Sequence, residues 1–461
     1  MRRHVVVLLS AVAGIVCTSR ILAQEPFDGS WISEGYGLYF EVAGQHITAY
    51  EVTAVSCIQS YTAARKNATP GGIGFNVVGR PTTLVVREAG SSDRRQLHVD
   101  GAASDIVIRR VGAKPKACAA PPRDTPVVNF DVFTRTWAEQ YGFFDLKRAD
   151  WKSIVASHRG RITDKTTPDE LFETLKSMIE PFEDAHTNIR AESIGKSWGG
   201  TRKSANWLER DQRLHAFEIV EQKYLQTALR SWCNGQIQYG RLASGVGYMR
   251  LKSFSGYGPE PAFASGLAAL EGALDTIFSD ALSWPGLVID VRINGGGSDP
   301  YGLAIASRLA TQNYIAYSKE ARADPDDATR WTEAQPSWVR RSARPSFTGS
   351  VVVLTGIHSV SAAETFTQAL MKRTPRVTRV GEHTQGVFSD VLGRKLPNGW
   401  RFGLPNERFL TDGRNYDGPG IPPDVPVPVF PKSDLAAGRD GALEKALELL
   451  AGSAGRGAKK E

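Results

Sequence analysis

The pattern of apolar and polar positions changes character along the chain. In the first part it consists of short runs rich in β-branched and aromatic residues, at 35–42, 47–52, 83–87 and 105–111. Clusters of Gly, Asn, Asp and Ser separate them, so residues 26–122 read as a small all-β domain. The Pro- and Ala-rich stretch 114–124 has linker chemistry. The period then becomes helical. Phe130, Phe133, Trp137 and Tyr141 recur at spacings of three and four, which marks one buried helix face. Thr167, Pro168, Asp169 and Glu170 open a second helix, with Leu171, Phe172, Leu175, Met178, Ile179 and Phe182 along its apolar side. These helices form a subdomain over 127–195, followed by a connecting segment, 196–245.

From 246 to 430 strand and helix patterns alternate. Stretches 247–251, 287–292 and 350–355 read as strands, the latter two apolar on both faces, and helical patterns follow at 267–277, 301–310 and 362–371. Strands of this kind between helices imply a sheet covered on both sides, hence an α/β (α+β) core. Residues 318–348 are polar and rich in Pro and Trp and read as a surface excursion. Residues 431–461 read as a terminal helix and a Gly/Lys tail.

The N-terminus alters the setting. Arg2 and Arg3 precede an apolar run at 5–16, and Ala23 stands before a plausible cleavage point. This is the pattern of a secretory signal peptide, 1–23, too short to span a bilayer comfortably. The expected mature chain is periplasmic or secreted, with no stable membrane insertion. Cleavage removes three arginines and lowers the formal charge of +7 to about +4. Basic residues form no stripe interleaved with aromatics, so nucleic acid is not an expected partner. Cys57 and Cys118 are equally compatible with a disulfide or with free thiols, and Cys233 stands alone. No two cysteines sit at ligand spacing, and no metal or cofactor is expected.

Candidate chemistry gathers where two strands end. One runs from Asp290 through Arg292 and Asn294 into Gly295, Gly296 and Gly297; the other runs from Thr355 to Ser361, Ala362, Ala363 and Glu364. In an open α/β sheet, ligands collect at such ends. Three glycines let the backbone approach a ligand and present bare N–H groups, which suits an oxyanion, although a tight turn explains them as well. Ser361 would open a helix with the Ala362 N–H free beside it. Its spacing to Glu364 equally fits a capping box, and Ser359 has no comparable placement. A nucleophilic serine needs a base. His186, His358 and His383 are all candidates, and pattern alone does not choose between them.

Taken together, these stretches resemble the carboxyl-terminal processing (tail-specific) protease family, in particular its tricorn-core and interphotoreceptor retinoid-binding protein-like branch. The resemblance rests on Asp184, His186 and Thr187; on Asp290, Arg292, Asn294, Gly296 and Gly297; and on Ser361, Ala362, Ala363 and Glu364. It continues through Gly381, Glu382, Thr384 and Gly386, then Leu396, Pro397, Asn398 and Gly399, then Asp417, Gly418, Gly420, Ile421, Pro423 and Asp424. It implies a crotonase-like protease core and a serine endopeptidase acting on peptides or proteins. Ser361 would be the nucleophile, His186 the base and Asp417 its orienting acid. Ala362 and Gly296 would supply the oxyanion hole, with Gly295 and Gly297 as alternates. Asp417 stands where the family pattern has Glu. Val387 occupies the place of the lysine of the Ser–Lys branch, which disfavours that dyad. Ala185 replaces the family's second serine, and 196–245 lacks a clear PDZ module. A non-catalytic carrier of apolar ligands on the same fold, or an esterase or amidase using the same residues, is the alternative.

Overall fold

The computed structural model describes residues 27–66 and 71–457; the expected signal peptide, 1–23, lies outside them. Eight antiparallel strands between Gly29 and Val111 close into a barrel, the first pairing with the last through Ser30 and Val111. Alternate residues, among them Trp31, Phe40, Ile47, Ala49, Phe75, Val86 and Leu97, fill the interior, as the period-two pattern requires. Cys57 and Cys118 form a disulfide that ties the segment after the last strand back to the Cys57–Arg65 strand. Closing a loop of this length stabilises the fold by about 4 kcal/mol in the chain-entropy account.

The helices Pro126–Gln140 and Pro168–Ile179 start at Thr125 and Thr167, whose hydroxyls accept from backbone N–H groups of their first turns. At the second, Glu170 returns the bond and completes a capping box. Their apolar faces meet in a cluster containing Phe133, Trp137, Tyr141 and Phe182. Just beyond Phe182 the chain turns through the His186 loop into the strand Asn188–Ala191, which pairs with Arg401–Pro405.

The core is a seven-stranded sheet in the order Arg230–Trp232, Ile237–Arg241, Gly247–Leu251, Leu287–Asp290, Val351–Thr355, Thr378–Gly381, Val425–Pro426. From the third strand onward the pairing is parallel. Leu287, Ile289 and Val353 pack against the helices Phe263–Phe278, Asp299–Ser307 and Ala362–Leu370. Val288, Val352 and Leu354 face the other way, toward Arg210–Lys223 and Gly441–Gly457. The sheet is thus covered on both sides, which explains its continuous apolar strands.

The stretch 318–348 is not a surface excursion throughout. Tyr314–Ala321 and Gln335–Val339 pair as strands of a four-stranded sheet and bury Tyr317, Ala321 and Val339. Its polar letters misled because Lys319 is itself buried, neutralised by Asp390 at 2.6 Å and Glu407 at 3.0 Å. Among the described residues, no helix is long and apolar enough to cross a membrane.

Candidate active site

The strands Leu287–Asp290 and Val351–Thr355 lie side by side in parallel register, so the loops beyond their carboxyl ends emerge together. There a short parallel bridge forms, Ile293 opposite His358 and Asn294 opposite Ser359. It fixes the glycine loop against the Ser361 turn. Arg292 anchors the crossing: it is buried between Asp290 at 2.6 Å and Asp440 at 2.7 Å. Asn294 Nδ2 donates to the Leu251 carbonyl at 2.9 Å, and its Oδ1 accepts from the Gly296 N–H at 2.9 Å. Gly296 and Gly297 have φ of +88° and +143°, a region that disfavours any side chain. A Cβ on Gly296 would stand 2.7 Å from Ser361 Cβ, and one on Gly297 would stand 2.1 Å from the Phe254 carbonyl oxygen. Two of the three glycines are therefore required by close approach.

Ser361 opens the Ala362–Leu370 helix with φ 57° and ψ −119°. An ordinary N-cap has extended backbone angles, so this serine is held in a strained conformation of the kind that clusters at functional sites. Glu364 Oε2 accepts from the Ser361 N–H at 3.2 Å, the half of the capping box that closes as a hydrogen bond. Glu364 also accepts from the N–H groups of Gly386 at 2.6 Å and Val387 at 2.9 Å. Burial pushes its carboxyl up to about 7 despite these donors. The Ala362 N–H has no protein acceptor among the described residues. The Gly296 N–H, by contrast, is occupied by Asn294.

The alternatives are engaged elsewhere. Ser359 donates to the Val291 carbonyl and accepts from the Gly356 N–H. His358 accepts from the Leu208 N–H through Nε2 and packs on Trp207; burial lowers it to about 4. His383 is exposed, with Nδ1 on the Pro419 carbonyl.

His186 sits in a turn that Asp184 organises. Asp184 Oδ1 accepts from the His186 N–H at 2.9 Å, and its carbonyl accepts from the Thr187 N–H and hydroxyl. The imidazole is buried, its Nδ1 has no hydrogen-bond partner among the described residues, and burial holds it below the usual histidine range. Asp417 is likewise buried. Its Oδ1 accepts from the Phe388 N–H at 3.1 Å, while Oδ2 has no hydrogen-bond partner among the described residues. Burial raises this carboxyl well above the ordinary range, with Asp184 and Glu364 adding to the effect. The segment that contacts Asp417 also contacts the serine, since the Ser361 N–H donates to the Val387 carbonyl at 3.2 Å.

Sequence reasoning missed Tyr141. Its ring stacks on Phe182, just ahead of the Asp184 turn, at 5.3 Å and 19°. Its buried hydroxyl has no hydrogen-bond partner among the described residues and is raised by burial and then by Asp184 and Asp417. The residue was visible in the sequence as one more apolar position of a helix face. An aromatic with a polar end closing such a stripe was the available signal.

Residues 245–427 match Peptidase family S41. The chain is 26% identical over 198 residues to carboxyl-terminal-processing peptidase 2, chloroplastic, of Arabidopsis thaliana, covering 41% of this chain and 34% of that protein. It thus spans about a third of the length of this curated relative. A crystal structure of a candidate peptidase from Parabacteroides merdae superposes with a TM-score of 0.59 at 28% identity, over 71% of this chain and 97% of that one. Mature CPAF complexed with lactacystin shares the fold, with a TM-score of 0.51 at 12% identity over 71% and 97% of the two chains.

Proposed function

We propose, on the match of residues 245–427 to Peptidase family S41, that the protein is an exported serine endopeptidase working through an acyl-enzyme on a crotonase-like core. Ser361 Oγ attacks the scissile carbonyl carbon while His186 Nε2 takes its proton. Asp417 Oδ2 receives the Nδ1–H and stabilises the imidazolium. The tetrahedral oxyanion is held by the Ala362 N–H, at the positive end of its helix. With the Gly296 N–H committed to Asn294, the second donor comes from a flanking glycine, Gly297 or Gly295, and Gly296 serves as the close-approach position. On collapse the C–N bond breaks and His186 returns the proton to the leaving amine. Water then repeats the sequence to release the acyl group. Asp417 fills the acid role despite being one methylene shorter than Glu. The Cys57–Cys118 bridge suits an oxidising compartment, which supports export.

The observation that carries this reading is the Ser361 backbone. A serine that merely caps a helix has no use for φ 57°, and the strain persists because the Asn294 bridge and Glu364 hold the turn from both sides. Ser361→Ala is expected to lower kcat on a fluorogenic peptide or unfolded casein by roughly 10⁴-fold or more, with Tm unchanged. Wild-type turnover by the variant overturns the reading.

A further inference from the structure

A cleft of about 440 Å³ lies between the barrel and the core, and Gly297 is part of its wall. Gly296, the residue before Gly297, approaches Ser361 so closely that a Cβ on it would meet the serine, so the glycine loop links the cleft wall to the proposed nucleophile. Its barrel side is the turn carrying Asp100 and Gly101; its core side includes Phe263, Tyr301, Asp299 and Asp390. The turn is seated firmly. Ser298 Oγ donates to the Gly101 carbonyl at 2.9 Å, and Gly101 lies against the Phe263 ring. Nearby, Asp105 and Gln335 exchange two hydrogen bonds of 2.9 and 2.6 Å.

The lining is electrically one-sided, with three aspartates and no Lys, Arg or His. Asp299 is 7% exposed, spends Oδ1 on the Thr365 hydroxyl at 2.7 Å, and has no hydrogen-bond partner for Oδ2 among the described residues. Burial and the neighbouring Asp390 charge hold it up to about 7, against the opposing pull of Lys319 and with Glu407 adding to the rise. Asp390 is half exposed and reaches Lys319 through Oδ2. The Lys319 charge is shared among Asp299, Asp390 and Glu407, and buried carboxylates with so little counter-charge are costly. A cation entering the cleft would relieve that cost while its alkyl stem packed on the aromatic walls.

We propose that this cleft is a substrate subsite that seats a lysine or arginine side chain next to the scissile bond, with the barrel turn forming one wall. The subsite rests on Ser361 being the nucleophile, and its test separates the two. Random-sequence peptides of equal length, fixed at one position as Lys, norleucine or Glu, are titrated into full-length Ser361→Ala protein and followed by fluorescence anisotropy. The same pools are digested with wild type and the cut sites mapped by mass spectrometry. The Lys pool is expected to bind about fivefold or more tighter than the norleucine pool, and wild-type cut sites to be enriched in Lys and Arg. The Glu pool is expected to bind most weakly. Asp100→Lys, which reverses the charge of the barrel wall, should abolish the Lys preference in the anisotropy titration. Charge-independent binding, or a Lys preference untouched by Asp100→Lys, overturns the subsite. A Lys preference lost in Asp100→Lys, with no cleavage by wild type, upholds the cleft as a site for a cationic side chain and overturns the peptidase reading.

Discussion

The barrel and the strand-end site fill their interiors by opposite rules. Inside the barrel Trp31, Phe40, Ile47, Phe75 and Leu97 are buried, and their contribution scales with apolar area removed from water, roughly 1.5–3 kcal/mol for each large side chain. At the site Asp184, His186, Asp290, Arg292, Glu364 and Asp417 are buried just as deeply. Burial there is costly unless each charge meets a partner. Asp290 meets Arg292, and Glu364 meets three N–H groups. His186 Nδ1, Asp417 Oδ2 and the Tyr141 hydroxyl meet none among the described residues. The barrel interior is a region whose sequence serves its own stability. The site is one where the surrounding fold sustains unmet polar groups, and the proposed chemistry resides in those groups.

The contrast breaks most sharply at Asp417. Asp417→Asn keeps the volume but removes the acid, and kcat on a peptide substrate is expected to fall about 10⁴-fold. Calorimetry should show Tm unchanged or higher, because a poorly compensated carboxyl has been removed. Equal losses in activity and stability would place Asp417 with the barrel residues, as a packing element.

That contrast also explains what the sequence could reveal. Four of the eight barrel strands were anticipated, because their β-branched runs are dense. Arg94–Val99 was not, since Leu97 is its one fully buried residue and four of its six letters are polar. The paired strands Tyr314–Ala321 and Gln335–Val339 were hidden by buried polar residues such as Lys319 and Ser337. At the site, Ser361 and the glycines stand out in sequence because one neighbouring strand pair delivers them. His186 and Asp417 come from distant segments, and only the family resemblance singled them out. That Asn294 occupies the Gly296 N–H is a tertiary fact with no trace in spacing.

A mutation on the barrel side sharpens the comparison. Phe75→Ala removes a nearly fully buried ring and is expected to cost about 3–5 kcal/mol in chemical denaturation. Turnover measured where the protein remains folded should be unchanged. Loss of activity without loss of stability would mean that the barrel interior is coupled to the chemistry.

The smallest effect is expected at Tyr141. Tyr141→Phe retains the stacked ring and removes the hydroxyl beside Asp184 and Asp417. It should lower kcat by about tenfold with KM and Tm little changed, the loss of one buried hydrogen-bonding group felt in the transition state. The wild-type pH profile belongs to the same experiment. Burial favours neutral His186, so the base stays competent below the usual histidine range. Activity should therefore decline as pH falls through a midpoint under about 6.5. A midpoint above that value would mean that the charged form is favoured, contrary to the buried, unpaired ring.

The claim on which all of this depends is that Ser361 is the nucleophile. The most direct measurement is labelling of the intact protein with a fluorophosphonate probe, the adduct mapped by peptide mass spectrometry. One covalent adduct on Ser361, absent in Ser361→Ala and much slower in His186→Ala, is the predicted result. An adduct on another serine, or equal labelling of Ser361→Ala and wild type, would contradict it.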